Sequence, residues 1–228
     1  IKTIRKKLVL AVMAIFCATI AFAERPSLKF QDHKFKIVQF TDLHWSEGVE
    51  YASRNDSTIN LMRKVVEREH PDLVVFTGDA VVYGNGEIGW QQVTRPVTEA
   101  KVPFAVTCGN HDTETNLSKD QILGILQRNP LCLTSSAKKI HSGKGTCALP
   151  VLSSDGKSMP WAIYLFDSNA YPGSRELLGN YDWIHNDQIQ WYRKQSEAYK
   201  RSQGKAISAL AFFHIPFPEK GLIPASGQ

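Results

Sequence analysis

Asp42, His44, Asp79, Asn110, His111, Asp112 and His214 fall at the ends of apolar runs, and their types are those that hold metal ions and move protons. Hard or borderline divalent ions take carboxylate, imidazole and amide oxygen ligands, and two ions can share one carboxylate. Asp42 and His44 are two positions apart on a segment read as extended, so both project to one side and reach one ion. Asp79 is placed to bridge two ions, with Asn110 and His214 on the second. Two metals about 3.5–4 Å apart suit phosphoryl transfer, because they deprotonate a bridging water and neutralise charge on the phosphate oxygens. His111, next to Asn110, is expected to stay off the metal and protonate the leaving oxygen, with Asp112 orienting its imidazole.

The elements around these residues explain how distant positions meet. Lys36–Phe40 leads into Asp42-Leu43-His44, Leu73–Phe76 into Gly78-Asp79, and Val102–Thr107 into Gly109-Asn110-His111-Asp112. An apolar, β-branched run that stops near a glycine reads as a buried strand emptying into a tight loop. Between the first two strands a helix is predicted from about Asp56 to His70, capped by Asp56 or Ser57, with Ile59, Met62, Val65 and Val66 as its apolar face and Pro71 as its stop. A β-α-β crossover of this kind puts both strand ends at the same edge. A second helical stretch, Trp90 to Lys101, repeats the crossover, with Pro96 expected to kink or interrupt it. Ser118-Lys119-Asp120-Gln121 is a capping box opening a helix that carries Ile122, Ile125 and Leu126 and stops at Asn129-Pro130. Residues 131–160 are Gly- and Ser-rich with β runs around Thr146 to Leu152. Trp161–Phe166 reads as a buried strand ending at Asp167-Ser168-Asn169, which are taken as turn formers ahead of cleft residues. A long helix from about Asn186 to Ser202 and a last strand from Ala206 to Phe213 lead to His214-Ile215-Pro216.

Each motif alone is weak: an Asp-x-His is usually chance, and Gly-Asp after a strand is common turn chemistry. In this order, at successive strand ends, they are specific. The combination resembles the calcineurin-like metallophosphoesterases, whose pattern is D-x-H, G-D, G-N-H-[DE], an isolated His and a closing G-H-x-H. Asp42-Leu43-His44, Gly78-Asp79, Gly109 to Asp112 and His214 match the first four, and the resemblance spans about residues 36 to 218. Phe212-Phe213-His214-Ile215-Pro216 together with Gly109-Asn110-His111-Asp112 looks most like the purple-acid-phosphatase-like branch. The resemblance implies an α/β fold, a four-layered α/β/β/α sandwich with a dinuclear metal centre. Purple acid phosphatases carry an iron-binding Tyr three residues after the bridging Asp; that position is Val82 here, and Tyr83 is read as a loop aromatic. The closing G-H-x-H is absent from these residues, and the expectation is that a longer chain supplies it, one histidine to each metal.

Composition bounds the remaining classes. At 43% hydrophobic and 21% charged, the chain reads as one ordinary globular domain, residues 24–228, after a leader. Four of the positive charges, Lys2, Arg5, Lys6 and Lys7, sit in the first 23 residues, which contain no acid, so the net +5 argues for neither a nucleic-acid groove nor a membrane surface. Residues 1–23 read as a signal peptide: a basic start, an apolar run from Leu8 to Phe22, and Ala21-Phe22-Ala23 before Glu24. The protein is therefore expected to be exported, with no stable membrane span after cleavage. In an oxidising compartment Cys132 and Cys147 can pair, while Cys108 is read as a small buried core residue. His33, His70, His141 and His185 are read as solvated, and Trp45 and Tyr181 as aromatics burying apolar area. The expected activity is hydrolysis of phosphomonoesters with two divalent or trivalent ions (Mn, Zn or Fe), a small phosphate ester being the expected partner. A phosphodiesterase acting on nucleotides or phospholipid head groups, and an exported binding protein without turnover, are the alternatives.

Overall fold

In the computed structural model, which describes residues 25–217, the chain opens with β1 (Leu28–Lys29), β2 (Ile37–Phe40) and β3 (Trp45–Ser46). Then come α1 (Val49–Glu69), β4 (Leu73–Phe76), β5 (Val81–Tyr83), α2 (Gly86–Glu99), β6 (Phe104–Val106) and α3 (Lys119–Leu126). The second half runs β7 (Cys147–Leu152), β8 (Trp161–Leu165), α4 (Arg175–Leu178), α5 (Asn186–Gln203) and β9 (Ser208–Phe212). The predicted leader lies outside the described residues. No helix among those described is long and apolar enough to cross a membrane.

Two sheets make the frame. One is parallel, in the order β2-β4-β6, and the other is mixed, in the order β1-β7-β8-β9. All four residues of β4 are buried, which is what a strand covered on both faces requires. Its alternate side chains divide between two cores. Leu73 and Val75 join Val151, Ile163 and Leu165 of the other sheet, whereas Val74 and Phe76 join Ile59 and Met62 of α1, Trp90 and Val93 of α2 and Ile122 of α3. On the far side of the mixed sheet, Ala162 and Tyr164 of β8 pack with Trp191 and Tyr199 of α5. The layers are thus helices, parallel sheet, mixed sheet and helix, the α/β/β/α sandwich that the resemblance implies.

Several boundaries differ from the sequence reading for physical reasons. α1 begins at Val49, not near Asp56, and neither Asp56 nor Ser57 caps it. Its buried stripe, Asn55, Ile59, Met62 and Val66, reaches back to a polar residue that an apolar pattern overlooks. Asn55 Nδ2 donates to the Ser46 carbonyl at 2.7 Å, tying the first turns to β3. α2 begins at Gly86, where Asn85 accepts from the Ile88 amide at 3.2 Å, and it continues through Pro96 to Glu99 without interruption. α3 opens on the predicted capping box of Ser118 and Gln121. Cys108, Cys132 and Cys147 are buried free thiols, so the suggested Cys132–Cys147 pair is not formed. Burial pushes the Cys147 thiol up to about 11.

Candidate metal centre

The site begins where β2 and β4 end, because their pairing does not end with them. Thr77 N donates to Phe40 O at 2.9 Å, Asp42 N to Gly78 O at 3.0 Å and His44 N to Asp79 O at 3.0 Å. Trp45 N then donates to Ala80 O at 2.9 Å, and the ladder resumes as the parallel pair β3–β5. The two loops are therefore held side by side by backbone bonds. Inside them Asp42, His44 and Asp79 take left-handed backbone conformations, with φ of 53°, 52° and 50°. An L residue is rarely found there, and each such residue stores on the order of 1–3 kcal/mol that its surroundings must hold. This corrects the extended geometry expected for Asp42 and His44. Their side chains converge because the loop turns left-handed at both residues.

One ligand atom each from Asp42, His44 and Asp79 lies within 4.8 Å of the others. His44 Nε2 is 3.7 Å from Asp42 Oδ1 and 4.0 Å from Asp79 Oδ2. Thr41 Oγ1 donates to Asp42 Oδ2 at 2.6 Å, and Arg54 Nη2 to the His44 carbonyl at 2.7 Å. Asp79 is the buried member, 4% exposed, and its Oδ1 accepts the His111 amide at 2.8 Å. His214 Nε2 stands 3.2 Å from Asp79 Oδ2, while its Nδ1 lies 2.8 Å from the Thr77 carbonyl. A carbonyl can only accept, so Nδ1 carries a proton, and Nε2 is the nitrogen turned to Asp79, to which it donates when the ring is charged. Burial raises the Asp79 carboxyl, but the His214 hydrogen bond and the His111 amide outweigh it and hold the group below its usual value.

Two glycines permit this closeness. A Cβ on Gly78 would lie 2.6 Å from both Gly109 N and His214 Nδ1, and a Cβ on Gly109 only 2.2 Å from Asp79 Oδ1. Gly78 also takes φ of 99°, which a side chain would strain.

Beyond β6 the loop parts from its sequence reading at Asp112. Its carboxylate is fully buried and does not touch the His111 ring; it accepts four backbone amides. Asp112 Oδ2 takes Gly109 N at 2.7 Å and Asp79 N at 2.9 Å, and Oδ1 takes Ala80 N and Val81 N at 3.0 Å each. Burial pushes this carboxyl up against the pull of those amides. Asp112 therefore clamps the β4–β5 loop to the β6 loop. The partner of His111 is Glu114, whose Oε2 lies 2.7 Å from Nδ1, and that hydrogen bond outweighs burial and raises the imidazole above its usual value. The His111 ring centroid is 6.1 Å from that of His44, which places it beside the cluster. Asn110 is buried, and its Nδ2 donates to the Tyr171 hydroxyl at 3.1 Å.

Other candidates sort themselves by distance from this centre. Tyr83 is exposed and sits edge-on to Tyr51, with ring centroids 6.5 Å apart. Tyr181, expected to bury apolar area, is 55% exposed, whereas Trp45 is buried. Asp167 and Ser168 are fully buried and bind Lys119 and the Ile215 amide, so they hold structure and do not line a cleft. Glu114 and Tyr171 are the site residues that motif reading missed. Glu114 was within reach of it, three residues past His111, but nothing local marks Tyr171.

The donors at the centre are carboxylate oxygens and imidazole nitrogens, with the shared carboxylate of Asp79 between His44 and His214. That set fits Mn, Zn or Fe alike. Comparison with known proteins agrees with the geometry. The model of a family described as calcineurin-like phosphoesterase matches residues 35–223. The chain is 28% identical over 229 residues to "Probable inactive purple acid phosphatase 29" of Arabidopsis thaliana, with 87% of this chain and 59% of that protein covered. It is 30% identical over 205 residues to "Phosphatase DCR2" of Saccharomyces cerevisiae, covering 82% and 35%. To "Probable inactive purple acid phosphatase 28" of Arabidopsis thaliana it is 29% identical, covering 84% and 56%. The chain thus spans between about a third and three fifths of the length of these curated relatives.

Proposed function

The chain belongs to the calcineurin-like phosphoesterase family, and we propose that it is a metal-dependent hydrolase of phosphomonoesters. The observation that carries this reading is the convergence of Asp42, His44 and Asp79, with His214 on the same Asp79 oxygen. Asp42, His44 and Asp79 would hold one ion, and Asp79, Asn110 and His214 a second. Ions held there supply Lewis acidity, which neutralises charge on phosphate oxygens and makes water a nucleophile near neutral pH. The residues do the rest. Asp79, buried and held ionised, would offset part of the charge of ions bound there. His214, fixed by the Thr77 carbonyl, keeps Nε2 aimed at the same place. His111, off the ligand set and beside His44, gives a proton to the leaving ester oxygen, a role typically worth about 10²–10⁴-fold.

The names of the two Arabidopsis relatives favour a second reading, a binding protein on this fold without turnover. One experiment separates the two. The whole protein is loaded in turn with Mn, Zn and Fe, its metal content is measured, and nitrophenyl phosphate is assayed beside the bis-ester. Asp79→Asn is carried through the same steps. The expected result is metal-dependent turnover of the monoester that Asp79→Asn loses together with metal while the fold is kept. Full metal occupancy and no turnover of either ester would establish the binding reading.

A further inference from the structure

Glu114 lies outside the ligand set, yet both of its carboxylate oxygens are committed inside the site. Oε2 lies 2.7 Å from His111 Nδ1, and Oε1 accepts from the Tyr171 hydroxyl at 2.7 Å. Tyr171 in turn accepts from Asn110 Nδ2 at 3.1 Å. The turn that brings Glu114 under His111 is closed by backbone, Glu114 N donating to His111 O at 2.9 Å. The Arg175 guanidinium carbon sits 4.1 Å from the Tyr171 ring centroid and covers that ring. We propose that Glu114 and Tyr171 are positioning residues, holding the His111 imidazole and the Asn110 amide in one hydrogen-bonded chain.

The direction of every bond in that chain follows from its centre. An ionised carboxylate can only accept, so the Tyr171 proton points to Glu114 and the His111 proton on that side sits on Nδ1. With its proton spent, the Tyr171 oxygen can take a hydrogen from Asn110 Nδ2 and cannot give one. Two outcomes follow that neither residue secures by itself. His111 leaves Nε2 as the nitrogen that faces a substrate, as a carboxylate behind an imidazole does in other acid–base sites. Asn110 is held with its amide nitrogen engaged, which leaves Oδ1 as the free donor atom. The His111 and Glu114 side chains are 39% and 45% exposed. An ion pair that open to water adds little stability. Its value is orientation, so its loss should be read in chemistry and in tautomer, not in melting temperature.

This inference rests on His111 being the acid of the proposed reaction, and the test keeps the two apart. Long-range proton–nitrogen spectra of the whole, metal-free protein at alkaline pH report the His111 tautomer without any turnover. The Nδ1–H form is expected in the wild type and in Glu114→Gln, whose amide oxygen still accepts, and the Nε2–H form in Glu114→Ala. With metal loaded, Glu114→Ala should lower kcat for an alkyl phosphate about tenfold or more, part of the general-acid contribution. The nitrophenyl ester, which needs little protonation, should lose much less, and Glu114→Gln should recover part of the rate. In a His111→Ala background, Glu114→Ala should cost far less than it does in the wild type, because the ring it acts on is missing and only its hold on Asn110 through Tyr171 remains. An unchanged tautomer in Glu114→Ala overturns the proposal, as do additive losses in the double variant or an unchanged kcat in an active enzyme. If the wild type turns over no ester, the functional reading fails by itself and the tautomer decides this one.

Discussion

The two sheets end their strands in similar polar residues and spend them differently. On the parallel sheet, Asp42 and Asp79 keep carboxylate oxygens directed at His44 and His214. On the mixed sheet, both oxygens of Asp167 are taken by Lys119, at 2.7 and 2.9 Å, and one also accepts the Asn169 amide at 2.9 Å. Gln188, fully buried, donates to Thr146 Oγ1 at 2.9 Å and to the Asp167 carbonyl at 2.8 Å, closing the network from α5. Among the described residues, the mixed sheet sends one candidate ligand to the centre, His214. An acid at a strand end becomes a ligand when its lone pairs remain after backbone and neighbours have been served. Asp112 belongs to the spent kind although it stands beside the centre, since its oxygens go to four amides in and next to the loops that carry the candidate ligands.

If that distinction is right, removing a spent acid should damage the fold more than the chemistry of its neighbours suggests. The largest effect is expected at Asp112. Asp112→Ala leaves four buried backbone donors without an acceptor, at about 1–3 kcal/mol each when unsatisfied. With some relief from water, a loss of more than about 4 kcal/mol is expected, a range that few substitutions reach. Asp112→Asn retains one acceptor oxygen and should lose about half as much. Urea midpoints for the two variants check this, and a near-wild-type midpoint for Asp112→Ala would dissolve the distinction between clamp and ligand.

Lys119 offers the matching test on the mixed sheet. Lys119→Met strands a buried carboxylate, which is expected to cost about 3 kcal/mol at neutral pH. Burial already pushes the Asp167 carboxyl up against the pull of Lys119, so the loss should shrink as acid neutralises it. Metal content per folded molecule should not change, because neither residue touches the centre. Reduced metal binding with intact stability would place this pair in the site after all.

The smallest effect is expected at Asp187, at the start of α5. The Ser142 hydroxyl, above all, and the amides of His141, Ser142 and Gln188 hold its carboxyl far below the usual carboxylate range. A depressed carboxyl stabilises the fold above its unfolded pKa of about 4, and the contribution is lost as pH falls through the lower folded value. Wild type should exceed Asp187→Asn by about 1 kcal/mol at neutral pH. The two should converge in strong acid. Thermal melts across that range decide it, and a gap that widens in acid would reverse the assigned sign.

Much of this molecule is legible in one dimension. Apolar runs ending near Gly78 and Gly109 mark the strands whose ends meet, and Ser118 with Gln121 marks the start of α3, because burial and capping act over a few neighbouring residues. The order of Asp42, His44, Asp79, Asn110, His111 and His214 likewise names the residues that gather at one sheet edge. The chain alone does not say how each of them gets there or which atom is left free. Asp42 and His44 converge through left-handed backbone that only the β2–β4 ladder holds in place. Asp112 is drawn from His111 to four amides, three of them more than thirty residues away, and Glu114 takes its place. Asn110 meets Tyr171 across 61 positions, and Lys119 meets Asp167 across 48. Residue type determines what a side chain can bind. Which partner claims its lone pairs depends on whatever folding brings within 3 Å, and only the tertiary structure decides that.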